Sequence, residues 1–273
     1  MELHRILNFG GRLLPFALAS ALSFSSCSIL TGVQADPEYV AAAGLTAIQG
    51  LTISDAQVQS EVHQYITELD AKSKVLGPSS PYTKRLNRLV GNLPTVDGLT
   101  LNFKVYQSDE ANAFACADGS VRVYSKLMDL MSDDELIGVL GHEIGHVALK
   151  HTKKQFKAAY IAMAARYGLI SAGGTVGELS ASALGDLSQS LASASFSRKE
   201  ESEADDYGYN FLKKTGKNTW AMAMAFERLR DLEGGGQSDL VNQLFSSHPD
   251  LEKRIVRMSE RAAKDGYKRP AGK

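Results

Sequence analysis

Apolar and polar positions change their spacing several times along the chain, and each change predicts an element. Leu13 to Phe24 is a continuous apolar run behind a short basic stretch holding Arg5 and Arg12, and it leads through small residues to Cys27. That order is an export signal over residues 1–26, and its run is well short of the roughly 20 apolar residues that a spanning helix needs. Residues 27–53, with small residues, Asp36-Pro37 and little periodicity, read as a tether. From Ser54 the spacing turns helical. Ser54 and Gln57 form a capping-box pattern ahead of Val58, Val62, Tyr65, Ile66 and Leu69, which predicts a helix to about Leu76. Gly77-Pro78 and Pro81 end it, and Leu86, Leu89, Val90 and Leu93 mark a second, short helix. Alternation then takes over at Leu101, Phe103 and Val105, and again in Ala113–Ala117 and Ser120–Tyr124 on either side of Asp118-Gly119. These predict a half-buried strand and a hairpin, together a small antiparallel sheet.

Beyond Ser125 the pattern is helical throughout. Ser132 and Glu135 repeat the capping box and start a helix expected to reach about His151. Gly138, Gly141 and Gly145 lie inside it, and each costs roughly 1 kcal/mol relative to alanine, so another element is expected to approach this backbone closely. Lys157 to Ala172 is rich in Ala, Ile, Met and Tyr, but Arg166 inside it and Gly173-Gly174 after it predict a buried or hairpin helix rather than a membrane span. Thr175 to Ser197, with Leu179, Leu184, Leu187 and Leu191, predicts a weakly held helix and a candidate mobile lid. The fold class is α+β, mainly helical, with one folded domain over residues 54–268 and a tail at 269–273.

Composition narrows the function. The 273 residues are 44% hydrophobic and 22% charged, enough for one well-buried domain or two small ones and unlike disorder or coiled coil. Thirty basic against 31 acidic side chains leave a net charge of -1, so no positive field exists to hold nucleic acid, and none is expected as a partner. Two cysteines, Cys27 and Cys116, with no CxxC pair, mean that any metal must be held by histidines and carboxylates. Phe24-Ser25-Ser26-Cys27 resembles a bacterial lipobox, which implies cleavage before Cys27 and acylation of its thiol; the other reading is an ordinary secretory signal with Cys27 incidental. Both export the chain. Ser28 after the cysteine favours the outer membrane, with the domain lipid-anchored and facing the periplasm. Cys116 is then the one free thiol, expected to be buried and inert, with a bridge between two chains as the other reading.

His142-Glu143-Ile144-Gly145-His146 is an HExxH motif. Four residues turn a helix by about 40°, so both imidazoles face one side, as two metal ligands require. Glu143 between them is placed to take a proton from water, the general base of metal-assisted hydrolysis. His151 is a poor further ligand, because five residues beyond His146 turn it by about 140°, and His63 reads as a solvated residue on another helix. The acidic cluster from Glu200 to Asp206 opens the next strong helix, with Glu201 and Asp205 along its apolar face beside Ala204, Gly208 and Leu212. Glu201 can therefore point inward as a third ligand while Asp205 orients a histidine. Glu203 points about 100° away and, with Glu200, reads as a charge favoured by the helix N-terminus.

His142-Glu143-xx-His146, Ser197-Arg198 leading into Glu201-xx-Ala204-Asp205, and His248-Pro249 with Arg254 together resemble the HtpX-like zinc metallopeptidases, which are gluzincins. The resemblance runs from about Ser54 to Met258. It implies a zincin-like domain with one Zn2+ on His142, His146 and Glu201, Glu143 as catalytic base and Asp205 as the carboxylate that supports catalysis from behind His142. For His248 two readings stand: a switch ligand that enters the zinc sphere and holds the resting enzyme latent, or a cap of the helix after Pro249. Arg254 either stabilises an oxyanion, pairs with Asp205, or is a plain surface arginine. Asn112, Ala113, Phe114 and Ala115 resemble the edge strand on which such proteases lay an extended peptide. The export signal and the stretches Val105-Tyr106 and Val121–Ser125 look closest to the periplasmic lipoprotein branch of the family, whose members carry cysteines for a bridge that Cys116 has no partner to form. The expected protein is a zinc endopeptidase acting on unfolded or misassembled envelope proteins, with outer-membrane assembly or quality-control proteins as partners. The rivals are a chaperone-like assembly factor with a mostly latent zinc site, and an inactive module holding zinc for structure.

Overall fold

The computed structural model describes residues 37–171, 195–233, 244 and 247–271, apart from 92, 94, 96, 97 and 99. The export signal, Cys27 and the candidate lid over 175–194 lie outside the described residues. In chain order the elements are α1 (Pro37–Thr52), α2 (Asp55–Lys72), α3 (Pro81–Val90), β1 (Asn102–Tyr106), β2 (Ala113–Ala115), β3 (Ser120–Tyr124), α4 (Ser125–Leu130), α5 (Asp133–Ala148), α6 (His151–Ser171), α7 (Arg198–Lys214), α8 (Trp220–Leu232) and α9 (Leu251–Lys264). They belong to two compact units.

The described part of the first unit is 37–53 and 157–171. Much of the expected tether is helical: Pro37 stands at the head of α1, where its missing N–H is harmless, and the alanines that follow favour helix. Val40, Ile48 and Leu51 of α1 are exposed. In the second half of α6, Ala159, Tyr160, Met163 and Ala164 are buried and Ile161 is exposed, the one-sided burial of an amphipathic helix. Among the described residues no helix is long and apolar enough to cross a membrane.

The second unit holds the remaining elements. α2 opens with the expected capping box at Ser54 and Gln57 but stops at Lys72 rather than near Leu76. The chain after it pairs with β1 instead, through Leu76 N–H to Val105 O at 2.8 Å and Gln107 N–H to Lys74 O at 2.9 Å. The sheet has the order β1-β3-β2. β2 and β3 form the expected antiparallel hairpin, with Gly119 of its turn at φ 88°, whereas β1 joins β3 in parallel, so the sheet is mixed. Alternating side chains report which face a strand buries and carry no information about its direction. Arg122 in the central strand is 2% exposed and grips Asp70 of α2 with two bonds, 2.8 and 3.0 Å long.

α5 is the centre of this unit, with every residue from Glu135 to Val147 buried. Its glycines explain how two helices come so near. A Cβ on Gly138 would lie 2.5 Å from Ala221 O of α8, and one on Gly145 would lie 2.8 Å from Ala204 O of α7. Gly141 meets Gly208 backbone to backbone. This is the close approach expected from the three glycines, and its consequence is that α7 rides directly over the HExxH face of α5.

Candidate metal centre

α5 presents His142, Glu143 and His146, and all three are buried. α7 starts at a Ser197–Glu200 capping box and carries Glu201 and Asp205 one turn apart on the face turned to α5, where they are 1% and 0% exposed. His248 comes from the segment ahead of α9, and Arg254 from α9 itself. One ligating atom from each of His142, His146, Glu201 and His248 lies within 4.8 Å of the other three. His142 Nε2 is 3.0 Å from His146 Nε2 and 3.2 Å from His248 Nδ1. Glu201 Oε1 is 3.0 Å from His248 Nδ1 and 3.3 Å from His146 Nε2, and Glu201 Oε2 is 3.6 Å from His142 Nε2.

These donors fit a divalent metal. Bonds of about 2.0–2.1 Å in a tetrahedron separate neighbouring donors by about 3.3 Å, which is the spacing found here. His142 Nδ1 lies 2.9 Å from Asp205 Oδ1, so this ring carries its proton there and aims the lone pair of Nε2 into the cluster. Glu201 Oε2 is buried with no hydrogen-bond partner; Arg254 Nη1 abuts it as an ion pair without hydrogen-bond alignment. Three imidazole nitrogens converging on one carboxylate form a donor set that a divalent cation would complete. Burial also drives the pKa of His146 well down, keeping a lone pair available.

Glu143 is the one acid of the HExxH motif that stands outside the donor cluster, and its Oε1 lies 3.4 Å from His248 Nε2. Burial pushes its carboxyl above the usual range, against the pull of His248, as a base working near neutrality requires. Burial acts on Asp205 in the same direction, but Arg254 and His142 outweigh it and hold Asp205 below its ordinary value. Arg254 is 6% exposed, donates to Asp205 at 2.9 and 2.8 Å, and sits 4.2 Å from the centre of the Phe226 ring. The surface-arginine reading therefore falls, and the pairing with Asp205 holds. The cap reading of His248 falls as well: the residue before α9 is Asp250, in the left-handed region at φ 65°, and it makes no side-chain cap.

Two neighbours of His146, and a third residue behind one of them, were not legible as such. His151 lies with its Nδ1 3.1 Å from His146 Nδ1, because α5 ends at Ala148 and Lys150 turns the chain at φ 61° before α6 begins. The angle reckoned along one continuous helix does not apply. Glu203 reaches His151 Nε2 at 3.2 Å, and Phe196 stacks on the His146 ring at 3.7 Å. His63 stays outside the centre, exposed and paired with Asp118. Cys116 is a free thiol whose pKa burial raises well above the usual range.

Two surfaces adjoin the cluster. β2 packs against α5 and, in the order β1-β3-β2, has a partner strand on one side only among the described residues; Asn112, Ala113 and Ala115 are buried and Phe114 is half-buried. A small apolar crevice beside Glu143 and His248 is walled by Val139, Phe226, Leu229, Leu244 and Leu251.

Comparison with known proteins agrees with this site. The family profile described as Peptidase family M48 matches residues 85–262. Metalloprotease LoiP of Escherichia coli (strain K12) is 40% identical over 252 residues, covering 92% of this chain and 98% of that protein. Metalloprotease YcaL of the same organism is 40% identical over 244 residues, 88% of this chain and 94% of its own. The beta-barrel assembly-enhancing protease of Yersinia pestis is 29% identical over 229 residues, 78% of this chain but 45% of that longer protein.

Proposed function

The chain belongs to peptidase family M48 and is a metalloprotease, and from that premise we propose that it is a zinc endopeptidase that cuts unfolded or extended segments of envelope proteins. The observation that carries the reading is the buried convergence of His142, His146 and Glu201, with Glu143 beside it. Two imidazoles and a carboxylate favour zinc over magnesium or calcium, which prefer oxygen donors. When bound, zinc supplies the Lewis acidity that polarises a peptide carbonyl and lowers the pKa of water.

The chain's own residues do the rest. Glu143 takes the proton of the attacking water and passes it to the leaving amine. Asp205 holds His142 by Nδ1, and Arg254 holds Asp205. The free side of β2 suits an extended backbone. A folded segment cannot pair with an edge strand, so the geometry favours unfolded polypeptide. The export signal and Cys27 support a mature chain anchored by lipid in the outer membrane and facing the periplasm, where unfolded envelope proteins and their assembly factors are found.

His248 favours a second state of the same enzyme. Its Nδ1 occupies a fourth donor position and its Nε2 faces Glu143, so it fills the place that a catalytic site keeps open and engages the base at once. A mostly latent site of this kind also fits an assembly factor. Metal content and cleavage of an unfolded polypeptide by wild type, Glu143→Gln and His248→Ala test the proposal. One zinc per chain, cleavage by wild type, none by Glu143→Gln with zinc retained, and faster cleavage by His248→Ala are expected. Zinc without cleavage in all three would leave the assembly role and end the protease reading for this substrate class.

A further inference from the structure

We propose that His151, held in turn by Glu203, sets the tautomer and orientation of His146 and so the metal affinity of the centre; this rests on His146 being a ligand. His151 is 1% exposed. Its Nδ1 lies 3.1 Å from His146 Nδ1, and its Nε2 lies 3.2 Å from Glu203 Oε2. His146 faces the donor cluster through Nε2, so a neutral ring must carry its proton on Nδ1. His151 Nδ1 must then accept that proton, which leaves the single proton of His151 on Nε2, opposite a carboxylate that only accepts. In this arrangement each N–H meets an acceptor. Moving the proton on either ring sets two lone pairs or two N–H groups against each other at one of these contacts.

The two ligand histidines are thus braced differently. Metal-bound histidines ordinarily give their outer N–H to a carboxylate or carbonyl; Asp205 serves His142 directly, whereas Glu203 serves His146 through one intervening imidazole. The backbone makes room for that ring. Lys150 in the left-handed region ends α5 and starts α6 so that His151 returns beneath His146, and Phe196 stacked on the His146 face blocks rotation of the ligand ring. Glu203 Oε1 is 3.7 Å from Lys199 Nζ, and the Glu203 side chain is 42% exposed, so the outer end of the relay reaches solvent.

The test is zinc affinity, by competition with a chromophoric chelator, for wild type, His151→Phe, His151→Gln, Glu203→Ala and His146→Ala, with the melting temperature of each metal-free form. Long-range 1H–15N spectra of the imidazoles in zinc-loaded wild type give the tautomers directly. Expected are a loss of about 10–100-fold for His151→Phe, recovery of most of it by His151→Gln, whose amide oxygen can accept from His146, and a smaller loss for Glu203→Ala. The spectra should put protons on Nδ1 of His146 and Nε2 of His151. Unchanged affinity in His151→Phe and Glu203→Ala, equal loss in His151→Phe and His151→Gln, or a proton on Nδ1 of His151 would each overturn the proposal. If His151→Phe does not fold, Glu203→Ala and the wild-type spectra decide. Full zinc affinity in His146→Ala would instead sink the ligand reading on which the proposal stands.

Discussion

Asp205 on α7 holds His142 on α5 at 2.9 Å and takes two further bonds from Arg254, at 2.9 and 2.8 Å. One carboxylate therefore orients a ligand and neutralises a buried guanidinium. Asp205→Asn keeps the shape but removes the charge, and its one carbonyl oxygen cannot replace both carboxylate oxygens, so an amide N–H is left facing a donor. Metal affinity should fall about 10–100-fold, and the fold should lose about 3–5 kcal/mol because Arg254 keeps its charge with only Glu201 beside it. Chelator competition and urea denaturation of the metal-free protein measure the two effects separately.

Gly145 offers a sharper test of the helix contact. Replacing a helical glycine by alanine ordinarily stabilises by about 1 kcal/mol, but the added Cβ would lie 2.8 Å from Ala204 O, backbone that cannot move without moving Glu201 and Asp205. Gly145→Ala should destabilise by about 1–3 kcal/mol and weaken metal binding. Gly44, inside α1 with open space at its Cβ, should show the ordinary gain. Melting temperatures of the two variants against wild type distinguish a general helix effect from the collision.

How far the site was legible follows from what sequence spacing encodes. His142 and His146 lie on one helical face whatever surrounds them, and the three glycines announce a close partner, so α5 could be read directly. Glu201 and Asp205 could be placed by the apolar face of their own helix. His248 and Arg254 share no periodic pattern with either helix, and only the family resemblance drew attention to them. His151 stays outside the four-donor cluster, but its contact with His146 was not legible, because no glycine or proline marks the turn at Lys150 and a non-glycine residue in the left-handed region leaves no trace in an apolar pattern. The parallel pairing of β1 and the helix within the expected tether were hidden likewise: direction and tertiary context do not alter alternation or composition.

Phe196 separates packing from site chemistry. Its ring stacks on His146 and tilts against His248 at 5.3 Å, while its backbone N–H bonds Ser247 O at 3.1 Å. Phe196→Ala should cost about 3–5 kcal/mol through lost burial. Phe196→Leu keeps most of the burial and loses the ring contact, worth about 0.5–1.5 kcal/mol. Both retain the backbone bond. Denaturation of the metal-free forms checks the order, and no loss in Phe196→Leu would mean that the ring contributes nothing beyond its area.

Acid should undo a second charged pair, outside the metal centre. Burial opposes the charge on Asp70, but hydrogen bonds from Arg122, Lys104 and Tyr106 outweigh it and lower its pKa to about 2. The folded value thus lies below the unfolded one, about 3.9. Asp70 then contributes its full stabilisation above the unfolded value, and the contribution disappears as pH falls from about 4 through 2. In Asp70→Asn that part of the pH dependence should be absent, and stability at neutral pH should drop by about 3–5 kcal/mol, because Arg122 is 2% exposed and loses its carboxylate. Urea denaturation of both proteins between pH 7 and about pH 3 is the measurement. Parallel curves would mean that Arg122 finds another partner and that α2 is held to the sheet by its apolar contacts alone.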